Sequence, residues 1–321
     1  MTTALAVIEA PALPAVILQA EADAARAFAL AEKSEATRRA YKADFRHFTR
    51  YCADRGVSPM PAAPDLVCAY LANLATSGAK ASTIGRKAAS IRYAHRLAGH
   101  EPPTNVETVK AVLRGIRREI GTAQTHKAPA TADRIAEMVR GLPDTLIGKR
   151  DRALLLLGFA GAFRRSELVA LIVADLIEAE GGMRVIIRHS KTDQEGQGQE
   201  IAIPHGSRLR PVDAVRTWLE AAGITEGPVF RPIAKGGRVG AVALSDRAVA
   251  LIVKHHAERA GLDPATYAGH SLRAGFLTTG AENGASVFKL MEVSRHKSVD
   301  TLRGYVRRAD LFRDHAGAGF L

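Results

Sequence analysis

The chain has 321 residues, of which 47% are hydrophobic and 24% are charged, a globular composition with a length that favours two domains. Basic residues outnumber acidic ones by 45 to 33, and the formal net charge of +12 favours a polyanionic partner such as nucleic acid. No stretch approaches the roughly 20 apolar residues of a membrane span, so we expect no membrane partner.

The first third of the chain predicts a small all-helical domain. Residues 1–21 lack a clear period and are predicted to form an N-terminal tail, and residues 22–120 a helical DNA-binding domain. Helices are expected near 37–53, after Asp65, near 82–98 and near 105–120, because apolar residues recur there every three or four positions. Cys52 and Cys68 fall at apolar positions of these helices, which indicates buried thiols in a reducing, cytoplasmic protein.

The rest of the chain predicts a second, mixed domain. Residues 121–131 have no apolar period and are predicted to be a linker to a domain over 132–321. Helices are expected near 132–141, 148–160, 211–222, 244–260, 271–283 and 286–294. Two β-branched runs, 183–189 and 200–204, predict a hairpin with a long tip over 190–199. The fold class is therefore mainly α with a small antiparallel β-sheet in the C-terminal domain.

Positive charge is concentrated at the end of the first domain. Residues 80–127 hold ten Lys and Arg against three Glu, a net charge of +7. An ordinary solvated helix face would explain such charges, but one dominant sign favours contacts to DNA phosphates. The predicted DNA-binding residues are Lys80, Arg86, Lys87, Arg92, Arg114, Arg117 and Arg118.

Four short segments of the second domain carry residues suited to phosphate chemistry. They supply Arg164 and Glu167, then Lys191 on the hairpin tip, then His270 and Arg273, and finally His296 and Tyr305. Each residue alone has an ordinary structural explanation, such as a surface ion pair or a core tyrosine. Together they include two guanidinium groups that could clamp an anion and two imidazoles suited to proton transfer.

In this order and spacing the residues resemble the tyrosine recombinase (phage integrase) family. Its signature is Arg-x-x-Glu/Asp, a hairpin lysine, His-x-x-Arg, and a His or Trp nine residues before a tyrosine, and the match covers about residues 131–312. The chain departs from the family at Ala274, where many members have a basic residue or His, and at Arg295, usually Gly.

The resemblance implies a two-domain DNA clamp, made of a helical core-binding domain and a catalytic domain, in a simple type that leaves no room for an extra N-terminal domain. Tyr305 would be the nucleophile that forms a 3′-phosphotyrosine, with Arg164 and Arg273 holding the non-bridging oxygens. His270 and His296 would transfer protons or bind the phosphate, Lys191 would protonate the departing 5′ oxygen, and Glu167 would position Arg164 or a histidine.

The resemblance also implies the partners. They are double-stranded DNA with specific recombination sites and three further copies of the chain, a homo-tetramer in which the segment after Tyr305 docks on a neighbour. The ester exchange needs no ATP, metal or other cofactor. Such an enzyme would serve DNA integration and recombination of a mobile element, for example a phage, plasmid or transposon.

Two other functions remain open at this stage. A type IB-like topoisomerase would use the same chemistry to relax DNA without sequence specificity, and a catalytically silent protein would bind DNA at specific sequences as a regulator. The small helical first domain favours a recombinase over a topoisomerase. The complete set of catalytic residues argues against a silent DNA-binding protein.

Overall fold

The computed structural model describes residues 18–123, 127–188 and 198–300, together with Leu302, Gly304 and Tyr305. Most of the predicted tail, Lys191 with most of the hairpin tip, and the predicted docking segment after Tyr305 lie outside the described residues. The chain divides into two compact units, Met1–Thr125 and His126–Leu321. No helix among the described residues is long and apolar enough to cross a membrane.

The described part of the first unit is entirely helical. The helices are α1 (Gln19–Ala31), α2 (Glu35–Ala53), α3 (Pro64–Thr76), α4 (Ala81–Leu97) and α5 (Glu107–Ile120), with a 3-10 turn over Pro103–Asn105. Helix α1 was not among the helices predicted, and it begins inside the predicted tail. Almost all of its residues are exposed, so it lacks the buried apolar stripe that sequence periodicity detects.

The core of the first unit lies between α2, α3, α4 and α5. On α2, Phe45, Phe48 and Cys52 are buried as their spacing predicted, whereas Tyr41 is only half-buried and packs against the ring of Tyr93 at 5.4 Å. Cys52 and Cys68 are both free thiols, the first buried and the second half-buried. The other buried apolar residues include Tyr70, Leu71, Leu74, Ile84, Ile91 and Val109.

The second unit combines a three-stranded antiparallel sheet with seven helices among its described residues. They are α6 (Ala132–Arg140), α7 (Leu146–Ala160), α8 (Arg165–Ala170), α9 (Pro211–Ala222), α10 (Asp246–Arg259), α11 (His270–Glu282) and α12 (Val287–Ser294). The strands are β1 (Leu176–Ala179), β2 (Gly182–Ile187) and β3 (Gln199–Pro204), in the order β1-β2-β3. The predicted fold class, mainly helical with a small antiparallel sheet, is confirmed.

Helix α7 is the centre of the second unit, and it fixes the start of α11. Five consecutive residues of α7, from Ala153 to Leu157, are buried. At Gly158 a Cβ atom would lie 2.7 Å from the side chain of Leu272, so glycine permits α7 and α11 to pack closely. Gly275 permits a second close crossing, since a Cβ there would lie 1.8 Å from the carbonyl oxygen of Ala130. These contacts set the position of His270 and Arg273, which occupy the first turn of α11.

Candidate active site

Three chain segments of the second unit carry the candidate site. The turn between α7 and α8 carries Arg164, the first turn of α11 carries His270 and Arg273, and the segment after α12 leads to His296 and then to Tyr305. Hydrogen-bond distances link His270 to Tyr305 and Arg273 to His296. The structure thus brings together side chains that lie up to 141 positions apart in the sequence.

Arg273 is the most deeply buried of the predicted catalytic residues. Its residue surface is 1% exposed, and Nη1 donates a hydrogen bond of 2.8 Å to the carbonyl oxygen of Ala162. Burial, together with the nearby charges of Arg164 and Arg295, lowers the pKa of Arg273 to about 9. The guanidinium therefore remains a cation at neutral pH, and its Nη2 atom lies 3.2 Å from Nε2 of His296.

Arg164 is held by Glu167 at the start of α8. The carboxylate of Glu167 accepts from the backbone N–H of Arg164 at 2.9 Å and from its Nη1 at 2.6 Å. Its other partner is the guanidinium of Arg295, whose Nη2 lies at 2.8 Å. Burial alone would raise the pKa of Glu167, but Arg295 and the hydrogen bonds from Arg164 lower it, so the group is a carboxylate.

His296 is held as a neutral imidazole. Burial, then the charges of Arg273 and Arg164, lower the pKa of His296 to about 3. Nδ1 lies 2.8 Å from Oγ of Ser294, whose hydroxyl donates to the carbonyl oxygen of Leu290. We assign the ring proton to Nδ1, which donates to Ser294, because Nε2 then accepts from Arg273.

The candidate nucleophile lies beside the second imidazole. Nε2 of His270 is 2.9 Å from the hydroxyl oxygen of Tyr305. His270 is exposed, whereas Tyr305 is half-buried and packs against a small apolar cluster that includes Leu277, Leu290 and Leu302. The apolar cluster fixes the ring of Tyr305 and leaves its hydroxyl at the imidazole, an arrangement suited to proton transfer from the phenol.

The hairpin that carries Lys191 is anchored at its base. Strands β2 and β3 pair up to Ile187 and Gln199, the last partners before the tip. Next to this pair, Nε of Arg188 donates to the buried carboxylate of Asp175 at 2.6 Å. Lys191 itself lies outside the described residues, so its role rests on the sequence.

Most of the predicted DNA-binding residues lie on the surface of the first unit. Lys80, Arg86, Arg114, Arg117 and Arg118 are exposed, and Arg92 is half-buried with its Nε donating to Thr104. Two of the exposed arginines also have acidic partners within the unit, since Arg86 pairs with Asp44 at 2.9 Å and Arg114 pairs with Glu107 at 2.5 Å.

Lys87 requires a correction. Its side chain is only 11% exposed and lies 3.6 Å from the buried carboxylate of Asp44, so it balances a charge inside the unit. Residue type and local charge density suggested a phosphate contact, but the partner of Lys87 comes from a different helix. We therefore remove Lys87 from the candidate phosphate contacts.

One residue of the site was missed by sequence reasoning. Arg295 was noted only as a departure from the family pattern, yet its guanidinium is buried and pairs with Glu167. The sequence contained a signal for this arginine, because it directly follows an apolar helix and directly precedes a candidate catalytic histidine. Among the described residues, no group of three His, Cys, Asp or Glu side chains is arranged to bind a metal ion.

Comparison with known proteins identifies the relatives of both units. Residues 129–311 match the model of the phage integrase family, and residues 28–101 match that of the phage integrase N-terminal SAM-like domain. The integrase/recombinase xerD homolog of Selenomonas ruminantium is 40% identical over 293 residues, which cover 89% of this chain and 86% of that protein.

Two solved structures show the same fold. The XerH site-specific recombinase bound to palindromic difH substrate gives a TM-score of 0.61 at 13% identity, covering 88% of this chain and 79% of that one. The Tn1549 transposon integrase in complex with transposon right end DNA gives a TM-score of 0.60 at 16% identity, covering 90% of this chain and 97% of that one.

Proposed function

The chain belongs to the phage integrase family and is a tyrosine recombinase, an enzyme that cleaves and rejoins DNA at specific sites, and we propose that it does so through Tyr305. The observation that carries the proposal is the approach of the Tyr305 hydroxyl to within 2.9 Å of Nε2 of His270, in the domain that also holds Arg164, Arg273 and His296. In this proposal, the first unit is the DNA-binding domain and the second unit is the catalytic domain.

Cleavage begins with attack of the Tyr305 hydroxyl oxygen on the phosphorus of a DNA phosphodiester. The phenolic proton passes to Nε2 of His270, the bond between phosphorus and the 5′ oxygen breaks, and the electron pair stays on that oxygen. The products are a 3′-phosphotyrosine and a 5′ hydroxyl. Rejoining reverses these steps with the 5′ hydroxyl of another strand, and no ATP is needed because one phosphate ester is exchanged for another.

The pentavalent transition state carries more negative charge than the phosphodiester, and two guanidinium groups offset it. Arg164 and Arg273 present planar forks of N–H donors, which match the non-bridging oxygens of a phosphate. His296 is neutral, and its ring donates through Nδ1 to Ser294 and accepts through Nε2 from Arg273, so it orients that guanidinium without adding charge. Fixed donors of this kind stabilise a transition state without reorganising.

Lys191 supplies the proton that the departing 5′ oxygen needs. An ammonium at the tip of a hairpin can reach the DNA while its strands stay fixed, and the contact between Arg188 and Asp175 holds the base of this hairpin. Glu167 has no proton on this path. Its carboxylate positions Arg164 through two hydrogen bonds.

The partners follow from the same chemistry. The exposed arginines of α5 and Lys80 contact DNA phosphates. Lys80 and Arg117 line one cleft of about 720 Å³ in the first unit.

Exchange between two duplexes requires four cleavages and therefore four copies of the chain, with the segment after Tyr305 docked on a neighbour. XerH and the Tn1549 integrase were solved with their DNA sites, and we place the reaction of this chain in the cytoplasm, on the DNA of a mobile element.

Covalent trapping tests the proposal. The protein is mixed with fragments of the DNA around its own gene, denatured, and the protein-linked DNA is recovered and sequenced, with Tyr305→Phe in parallel. Adducts at one recurrent site that are absent in the variant would support a site-specific recombinase. Adducts scattered over many sites would support a topoisomerase, and a protein that binds the same DNA, including nicked duplexes, without any adduct would contradict the proposal.

A further inference from the structure

A third arginine, Arg295, is buried next to the two that are proposed to hold the phosphate. Its residue surface is 4% exposed and its side chain 1%. The guanidinium donates to the carbonyl oxygens of Gly161, Ala162 and Val293 at 3.0, 3.0 and 2.6 Å, and to the carboxylate of Glu167 at 2.8 Å. Each terminal nitrogen therefore serves two acceptors.

These acceptors are the groups that also hold the catalytic arginines. The carbonyl oxygen of Ala162 accepts from Arg273 at 2.8 Å as well as from Arg295. The carboxylate of Glu167 accepts from Arg164 at 2.6 Å as well as from Arg295. Arg295 thus connects Arg273 and Arg164 through one shared acceptor each, and it directly precedes His296 in the chain.

The backbone at both ends of this connection is unusual. Arg295 has a φ of +58° and Ala162 a φ of +45°, in the left-handed region that is energetically costly for residues other than glycine. Glycine would avoid that cost at position 295 but would supply no guanidinium. Strained conformations of this kind persist where the surrounding contacts demand them, often at functional sites.

Charge balance also argues against a purely structural contact. The cluster of Arg164, Arg273 and Arg295 holds three cations against the single carboxylate of Glu167. Burying a cation beside two others is unfavourable, and well-packed apolar side chains often stabilise a core as well or better. An excess of buried positive charge is useful when an anion enters, as a DNA phosphate does here.

We propose that Arg295 is a positioning residue of the recombination reaction, which fixes the Ala162 carbonyl and the Glu167 carboxylate so that Arg273 and Arg164 face the phosphate together. The inference rests on the proposed function. It predicts that the guanidinium itself is needed, and that its loss slows cleavage while DNA binding by other contacts persists.

Chemical rescue tests this role. Arg295→Gly tolerates the left-handed backbone and leaves a space that ethylguanidinium can fill. We expect covalent adducts to form at least 100-fold more slowly than in the wild type, with DNA affinity within 3-fold, and millimolar ethylguanidinium to restore the rate at least 10-fold. Arg295→Lys keeps the charge but cannot reach four acceptors. It should therefore also form adducts at least 10-fold more slowly than the wild type.

Two controls define the rescue. Arg208→Gly removes an exposed arginine paired with Asp133 at 2.6 Å and should match the wild type with and without ethylguanidinium. We expect His296→Ala to form adducts slowly. This variant leaves no space with the shape of a guanidinium, so ethylguanidinium should not restore its rate. Adduct formation by Arg295→Gly within 3-fold of the wild type would overturn the inference, and so would a slow variant that ethylguanidinium leaves unchanged.

A second readout separates this inference from the proposed function. If the wild type forms no adduct, the proposed function fails, and the affinity for inorganic phosphate, measured by titration calorimetry, still tests Arg295. We expect Arg295→Gly to bind inorganic phosphate at least 10-fold more weakly than the wild type, and ethylguanidinium to recover the difference. Equal affinities would overturn the positioning role.

Discussion

Nε2 of His270 lies 2.9 Å from the hydroxyl oxygen of Tyr305, so the proposed nucleophile and its proton acceptor are already within hydrogen-bond distance. His270 begins α11, whereas Tyr305 lies in the segment after α12. The apolar cluster around Leu277 and Leu302 fixes the tyrosine ring. Because His270 contacts the proposed nucleophile itself, it should contribute to the chemical step more than to DNA affinity.

Replacing His270 should therefore separate binding from cleavage. We expect His270→Ala to slow adduct formation about 10²- to 10⁴-fold, the usual contribution of a general acid or base, with DNA affinity nearly unchanged in a gel-shift titration. His255→Ala, which removes an exposed histidine of α10, is the matched control and should cleave like the wild type. Equal cleavage by both variants would contradict the role of His270.

The low pKa of His296 predicts a specific pH dependence of stability. Unfolding returns this pKa from about 3 to an ordinary value near 6.5, so between these limits the unfolded chain binds a proton that the folded protein does not. The free energy of unfolding should therefore fall as the pH falls through this window, by at most about 1.4 kcal/mol per pH unit from this group. Above pH 7 the contribution vanishes.

Urea unfolding of the wild type and of His296→Gln between pH 7 and pH 4 measures this effect. The glutamine keeps a hydrogen-bonding side chain but does not titrate, so we expect the wild type to lose more stability than the variant on acidification. The difference between the two curves isolates His296 from the carboxylates that titrate in both proteins. Parallel curves would show that His296 is not held neutral in the folded protein.

The buried carboxylate of Glu167 should matter far more to stability than an exposed one. Glu167→Gln removes a charge shared by Arg164 and Arg295, and breaking such a buried pair costs about 3 kcal/mol or more. Glu178→Gln breaks an exposed pair with Arg216 and should cost less than about 1 kcal/mol. Urea unfolding at neutral pH compares them, and equal losses would mean that Glu167 is not essential to the arrangement.

Salt dependence tests the proposed phosphate contacts of the first unit. Each phosphate neutralised contributes about −0.9 to the slope of log affinity against log salt concentration. We expect Arg117→Ala and Arg118→Ala each to make this slope less steep, by up to about 0.9. Lys87→Ala should leave the slope unchanged, because Lys87 pairs with Asp44 inside the unit. A wild-type affinity that hardly responds to salt would contradict the placement of phosphate contacts at Lys80 and on α5.

The sequence predicted elements with strong local patterns and missed those without them. Helix α2 was found because Phe45, Phe48 and Cys52 repeat at helical spacing and are buried. Strand β1 has only four residues, Leu176–Ala179, too few to show alternation. Helix α1 escaped because its residues are almost all exposed, and no stripe of apolar residues marks it.

The same limit applies to the site. Residue types and spacing predicted Arg164, His270, Arg273, His296 and Tyr305 as site residues, because the family pattern lists them in order. They could not show that Lys87 faces Asp44, which lies 43 positions away, or that Arg295 reaches Glu167 across 128 positions. Such pairings depend on tertiary packing, which a one-dimensional pattern does not contain.

The most direct measurement of the central claim is the chemical identity of the covalent adduct. DNA recovered with the protein would be digested, and the linked peptide and the free DNA end would be identified by mass spectrometry. The account predicts a phosphodiester on Tyr305 joined to the 3′ end of the DNA, a free 5′ hydroxyl on the other side, and no adduct from Tyr305→Phe. A linkage to another residue, a linkage to the 5′ end, or an undiminished adduct from Tyr305→Phe would contradict it.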